Sequence, residues 1–209
     1  MTTSVKNFRG GAGLQPQEWW EVLSPPEELA QQAGALVRQI VPSGNLSVDE
    51  LQQLVVKVVE HTEIWRPLVV RDPERRRYRL LFEDDRIDLW VIAWMPGQGT
   101  GFHDHDTSGV GLAVAEGMVV ERQMLLPEGA TRLELRAGAT RKGPPGYIHS
   151  VAWGEGEPAV SVHAYSPPLL RVGQYRVDDQ GILERRSERG RQELMDHSIA
   201  SVDPSRADG

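Results

Sequence analysis

The chain contains no cysteine, and that absence removes disulfides, thiolate metal sites and a cysteine nucleophile together. Any metal must then be held by histidine, carboxylate or backbone oxygen. Long hydrophobic runs are also missing. None reaches the ~20 residues needed to cross a bilayer, and the start Met1-Thr2-Thr3-Ser4-Val5-Lys6 lacks the apolar stretch of a secretory signal, so a cytoplasmic protein without membrane contacts is expected. Positive charge is scarce. The 23 Lys and Arg against 30 Asp and Glu leave a formal charge of -7, and no basic stretch is long enough to form a nucleic-acid surface. The short run Glu74-Arg75-Arg76-Arg77 reads either as a solvated turn or as a phosphate contact.

What remains is 209 residues of ordinary hydrophobic content, enough for one structural domain with a real core but not for two. Residues 1 to about 24 are Gly-rich and polar apart from Trp19 and Trp20, and read as a loose arm that docks through those rings. Pro25-Pro26-Glu27-Glu28 opens a run with Leu29, Ala33, Leu36, Val37 and Ile40 at helical spacing, closed by Pro42, which predicts an amphipathic helix. A second helix follows. Ser47 and Glu50 have capping-box spacing, and Leu51, Leu54, Val55, Val58 and Val59 form a stripe as far as about His61.

From Tyr78 onward the pattern becomes short β-type segments broken by Gly and Pro. They are Arg79 to Glu83, Ile87 to Trp94, Gly109 to Glu116, Val119 to Leu126, Thr131 to Arg136, Tyr147 to Trp153 and Ala159 to Ser166. Val172 to Val177 is a candidate last strand, turning at Asp178-Asp179-Gln180-Gly181, and the charged tail from about Arg185 reads as a short helix followed by disorder. The expectation is a mainly β protein: helices in residues 1–70, an antiparallel barrel or double sheet over 71–184, and a tail over 185–209.

Six histidines are present, four of them in the strand-rich region: His103, His105, His149 and His163. His61 and His197 fall on helical segments and read as ordinary polar positions. In His103-Asp104-His105 the two imidazoles leave the same face of a strand and can converge on one ion, while Asp104 points the other way. Alone, such a pair could equally be two surface or core histidines. The setting is more specific. Gly97 stands five residues clear of His103, Gly117 ends the next strand, and Gly138, Pro144-Pro145-Gly146 and His149 follow at fixed intervals. These spacings match the two cupin motifs, in which tight turns bring three histidines together inside a double-stranded β-helix (jelly-roll) barrel. The carboxylate ligand usual in cupins would fall at Gly109 or Val110, neither of which can bind metal. Asp104, Asp106 and Glu116 are the nearby acids, but Asp104 faces the wrong way and Asp106 belongs to a turn. Three neutral imidazoles suit iron(II) with open positions for a substrate and dioxygen.

Several stretches resemble the cysteine dioxygenase type I family, the cupin thiol dioxygenases. They are Trp94-Met95-Pro96-Gly97, Phe102-His103-Asp104-His105, Glu116-Gly117, Gly146-Tyr147-Ile148-His149-Ser150-Val151 and Pro158-Ala159-Val160-Ser161-Val162-His163-Ala164-Tyr165-Ser166-Pro167-Pro168. The resemblance implies an iron(II) enzyme that adds both atoms of dioxygen to a small thiol, L-cysteine giving cysteine sulfinic acid. It implies His103, His105 and His149 as iron ligands, and His163 with Tyr165 as a supporting pair that acts on the substrate side. Ser161 shares their face and could support His163. A cis Ser166-Pro167 bond is a further implied feature.

The family also uses an Arg to hold the substrate carboxylate, and alignment through Trp94 and Pro96 places Arg79 there, with Arg77 or a purely surface role as alternatives. Relatives acting on 3-mercaptopropionate commonly carry Gln at that point and lack Ser-Pro-Pro, so both features lean toward cysteine. The thioether between Cys and Tyr found in animal members cannot form, because its Cys would fall near Val110. Two other readings stay open: a dioxygenase for 3-mercaptopropionate or another small thiol, and a non-catalytic metal-binding cupin. A monomer or small homo-oligomer is expected.

Overall fold

The structure, a computed structural model, describes residues 25–125, 129–177 and 183–189. Helix α1 (Glu27–Ile40) begins directly after Pro26, with Glu27 and Glu28 in its first turn and Arg38 in its last, charges that complement the helix dipole. Helix α2 (Val48–Glu60) starts from a complete capping box: Glu50 accepts from the Ser47 backbone N–H at 2.7 Å, and the Ser47 hydroxyl accepts from the Glu50 N–H. Ser47→Ala should therefore cost about 1 kcal/mol of stability, read from the shift in a urea unfolding midpoint. A short helix α3 (Thr62–Trp65) and a 3-10 turn at Arg66–Leu68 lead into the strands.

Eleven strands follow among the described residues: β1 (Arg77–Glu83), β2 (Asp88–Trp94), β3 (His103–Asp104), β4 (Gly109–Glu116), β5 (Met118–Leu125), β6 (Gly129–Arg136), β7 (Thr140–Gly143), β8 (His149–Trp153), β9 (Ala159–Ser166), β10 (Arg171–Val177) and β11 (Leu183–Arg189). They form two antiparallel sheets, one in the order β1-β2-β9-β4-β7 and the other β11-β10-β3-β8-β5-β6. Neighbours distant in sequence, such as β2 beside β9 and β3 between β8 and β10, mark the crossovers of a double-stranded β-helix. The fold is the expected cupin type with N-terminal helices.

The central strands of the first sheet, β2 and β9, have no solvent face, and their sequence shows why. Leu89 and Val91 of β2, with Val160, Val162 and Ala164 of β9, pack under Val37, Leu51, Leu54, Val55 and Val58 of the helices. Their alternates Ile92, Trp94, Leu112 and Val114 meet Val119 and Val151 of the second sheet. A strand buried on both sides loses the polar alternation of a surface strand, so all seven residues of β2 are buried. Each such side chain contributes ~1.5–3 kcal/mol of burial. Gly111 lets α2 come closer still, because a Cβ there would stand 2.7 Å from the Leu51 carbonyl carbon and oxygen.

One expectation is corrected. Residues Arg185 to Arg189 are strand and not helix: β11 pairs with β10 along its whole length, from Arg171↔Arg189 to Val177↔Leu183, and the rest of the tail, 190–209, lies outside the described residues. Leu183-Glu184-Arg185-Arg186 has strong intrinsic helix preference, but pairing with a neighbouring strand overrides local propensity. The expected turn at Asp178 to Gly181, the arm with Trp19 and Trp20, and His197 lie outside the described residues. No helix among the described residues is long and apolar enough to cross a membrane.

Candidate metal centre

Strand β3 is only two residues long, and His103 is paired in register with His149 of β8 on one side and Gln174 of β10 on the other. His105 lies just past the strand end yet returns to the same side, so three rings converge. Their centroids are 5.0 Å (His103 to His105), 4.7 Å (His103 to His149) and 5.1 Å (His105 to His149) apart, and one nitrogen from each lies within 4.8 Å of the others.

The remaining nitrogens define which atoms face the centre. The His103 Nδ1–H donates to the Gly101 carbonyl at 3.0 Å, and the His149 Nδ1–H donates to the Glu121 carboxylate at 2.8 Å, which assigns Nε2 of both to the interior. Burial first, then the neighbouring imidazoles, hold His103 and His105 well below the ordinary imidazole range, so both stay neutral, the form that ligates metal. His149 Nε2 and both ring nitrogens of His105 are buried without a hydrogen-bond partner among the described residues. Groups of that kind are costly to bury, and a divalent cation between the rings would satisfy one nitrogen from each. The donor set fits a metal that accepts imidazole.

Among the described residues no acid joins the three. Asp104 faces away, Asp106 sits in a turn at φ 53°, and Glu116 is occupied by Arg66 at 2.9 Å and by Arg71. Behind His149 is a carboxylate that sequence reasoning missed. Glu121 is 1% exposed and accepts from His149, from Arg141 Nε at 2.6 Å and from the Tyr147 hydroxyl at 3.2 Å. Burial pushes its carboxyl up, but the His149 and Arg141 contacts outweigh burial and the net direction is down, so it remains an anion. A signal was available, since Glu121 shares the inward face of β5 with Val119, where the alternation calls for an apolar residue.

On β9, Ser161, His163 and Tyr165 project together into the same space. Trp94 Nε1–H donates to Ser161 Oγ at 2.8 Å, which leaves the Ser161 hydroxyl proton for His163 Nε2 at 2.9 Å. His163 is lowered to about 3 by burial, so it is neutral and carries its single proton on Nδ1, which is 3.2 Å from the Tyr165 oxygen. The Tyr165 ring centre lies 4.7 Å from that of His105 at an interplanar angle of 57°, and its cross-strand partner on β4 is Val110. The Ser166-Pro167 peptide is cis.

His103, His105, His163 and Tyr165 line one cavity with Trp94, Ile92, Val151, Leu169 and Val172. Arg79 and Arg77 do not. Arg79 pairs with Val91 and Arg77 with Ala93, and paired residues project to the same side; for Arg79 that is the helix side, where Val91 packs. Arg77 is engaged by Asp72, with Nε to Oδ2 at 2.9 Å. The inward residues of β1 are Tyr78 and Leu80, and the cation that follows their parity into the cavity is Arg76, one residue before the strand. Its Nη1 donates to the Gly99 carbonyl at 3.1 Å, and its guanidinium lies 5.2 Å from the Trp94 ring centre.

Several known proteins are similar to this chain. Cysteine dioxygenase type 1 of Danio rerio is 26% identical over 163 residues, covering 73% of this chain and 80% of that protein. The Homo sapiens protein of the same description is 23% identical over 144 residues, covering 64% and 72%. Among solved structures, TT1209 from Thermus thermophilus is 25% identical with a TM-score of 0.45, covering 49% of this chain and 93% of that one. A Klebsiella pneumoniae protein with a double-stranded β-helix domain is 18% identical with a TM-score of 0.43, covering 70% and 99%. The family model for cysteine dioxygenase type I matches residues 21–178, and the chain belongs to that family.

Proposed function

We propose that the chain is a non-haem iron(II) thiol dioxygenase that combines L-cysteine with dioxygen to give cysteine sulfinic acid. The observation that supports it most is the convergence of His103, His105 and His149, joined by no carboxylate among the described residues. The three imidazoles would hold iron(II), which when bound would supply the chemistry that lets a thiol react with dioxygen. The thiolate sulfur gives up four electrons and gains both oxygen atoms, so no external reductant is required.

The protein side of the reaction is orientation and proton control. Arg76 is the one Lys or Arg among the described cavity-lining residues, and its planar fork suits the substrate carboxylate. The Ser161, His163 and Tyr165 relay fixes the phenol so that its own proton is offered to polar groups on the substrate side. Ile92, Val151, Leu169 and Val172 form apolar walls that displace water and strengthen both contacts. Those walls carry no acid to receive an ammonium, which favours 3-mercaptopropionate as the second reading.

Sulfinate formation and oxygen uptake measured on iron-loaded protein with cysteine, 3-mercaptopropionate and cysteamine test the proposal. Equimolar oxygen consumption and cysteine sulfinate are expected; iron uptake with no oxygen consumed for any thiol would leave a metal-binding protein instead. Arg76→Gln should lower kcat/KM for the two carboxylate thiols by about 10–100-fold, the worth of a charged hydrogen bond, and change cysteamine little. Equal losses for all three would remove the carboxylate role from Arg76.

A further inference from the structure

We infer that the β10–β11 hairpin is a clasp for the His103-Asp104-His105 segment, and that Arg185 is a positioning residue of the metal centre acting through Asp104. The inference rests on the reading of the three histidines as a metal site. With only two strand residues, β3 has little backbone pairing of its own to hold two imidazoles in place. The constraint comes from the side chain between them. Asp104 is 2% exposed and turned away from the cavity. Its carboxylate accepts from Arg185 Nε at 2.7 Å and Arg185 Nη2 at 2.8 Å, from the Tyr175 hydroxyl at 2.6 Å, and from the Asp106 backbone N–H at 2.7 Å. Two parallel bonds from a guanidinium fix orientation as well as position.

The route of Arg185 is built into the neighbouring strand. Arg185 is paired with Tyr175, and Gly173, two residues back on the same face of β10, is paired with Asp104. A Cβ at Gly173 would stand 2.3–2.6 Å from three atoms of the Arg185 guanidine group. Only glycine lets that side chain cross β10 and reach Asp104. The Tyr175 N–H also donates to the Phe102 carbonyl at 2.8 Å, so the hairpin holds the backbone entering the segment as well. Rotation of Asp104 would swing both imidazoles, and the clasp opposes it.

Cobalt(II) titrated into the metal-free full chain gives an affinity and a visible ligand-field spectrum, neither of which depends on turnover. Arg185→Ala should weaken cobalt binding by about 10–100-fold, the usual effect of losing an outer partner of a ligand set, and alter the spectrum. Gly173→Ala should do the same by displacing the guanidinium. The double variant should bind no more weakly than Arg185→Ala alone, because the contact is already gone. Unchanged affinity and spectrum in Arg185→Ala would overturn the clasp, and so would additive losses in the double variant, which would signify general damage to β10. If the unaltered chain takes up neither cobalt(II) nor iron(II), the metal reading itself fails, a result distinct from equal binding by chain and variant.

Discussion

Replacing His149 with alanine is expected to abolish stoichiometric iron(II) binding and thiol-dependent oxygen uptake together. The expectation follows from the position of this ring, paired in register with His103 and supported by Glu121. Two histidines at His103 and His105 leave a site with too few protein ligands to compete with water and buffer. Because the His149 side chain is buried, the truncation also leaves a cavity, costing on the order of 2–5 kcal/mol, and a urea unfolding curve checks that the variant is folded. Metal content by elemental analysis and an oxygen electrode check it. Full activity with bound iron would refute the ligand role.

The second large effect is expected at Glu121, and it should split into two parts. Glu121→Ala leaves the His149 Nδ1–H without its acceptor and Arg141 without its counter-ion, so stability should fall by ~1–3 kcal/mol. Iron(II) affinity should fall by about 10–100-fold, because the ring loses both its orientation and the anion that makes it a better donor. Glu121→Gln separates these parts. It keeps an acceptor for His149 but not the charge, so most of the stability should return while affinity stays low. Parallel urea unfolding and iron(II) competition titrations make the comparison; equal recovery of both would show that the charge is immaterial.

Strong periodicity made much of this architecture legible in the residues. The apolar stripe and capping box of α2 predicted its limits to within a residue, and β4 and β9 run over the same spans as their sequence patterns, Gly109–Glu116 and Ala159–Ser166. Strands of two and four residues, β3 and β7, are too short to show alternation at all. β11 was hidden for a different reason: its charges favour a helix in isolation, and only contact with β10 and Asp104 makes it a strand.

The convergence of three histidines could be anticipated because motif spacing encodes it, whereas the position of the cavity cation could not. Arg76, Arg77 and Arg79 are chemically alike in sequence, and what separates them is which side of β1 each faces. That parity is set by Tyr78 and Leu80 packing inward, a three-dimensional fact. Glu121 was legible in principle as an acid on an apolar face, but nothing along the chain pairs it with His149, 28 residues away.

Strand β9 is the partition between two compartments. Val160, Val162 and Ala164 bear on the helical layer while Ser161, His163 and Tyr165 form a hydrogen-bonded series on the opposite side, and Ser166 Oγ ties the strand end to the Leu46 N–H at 2.8 Å. Any sliding of α2 across the sheet would therefore tilt the phenol within the cavity. The helices act as a mechanical backing plate, and the hydroxyl's aim depends on how stiffly that plate is seated.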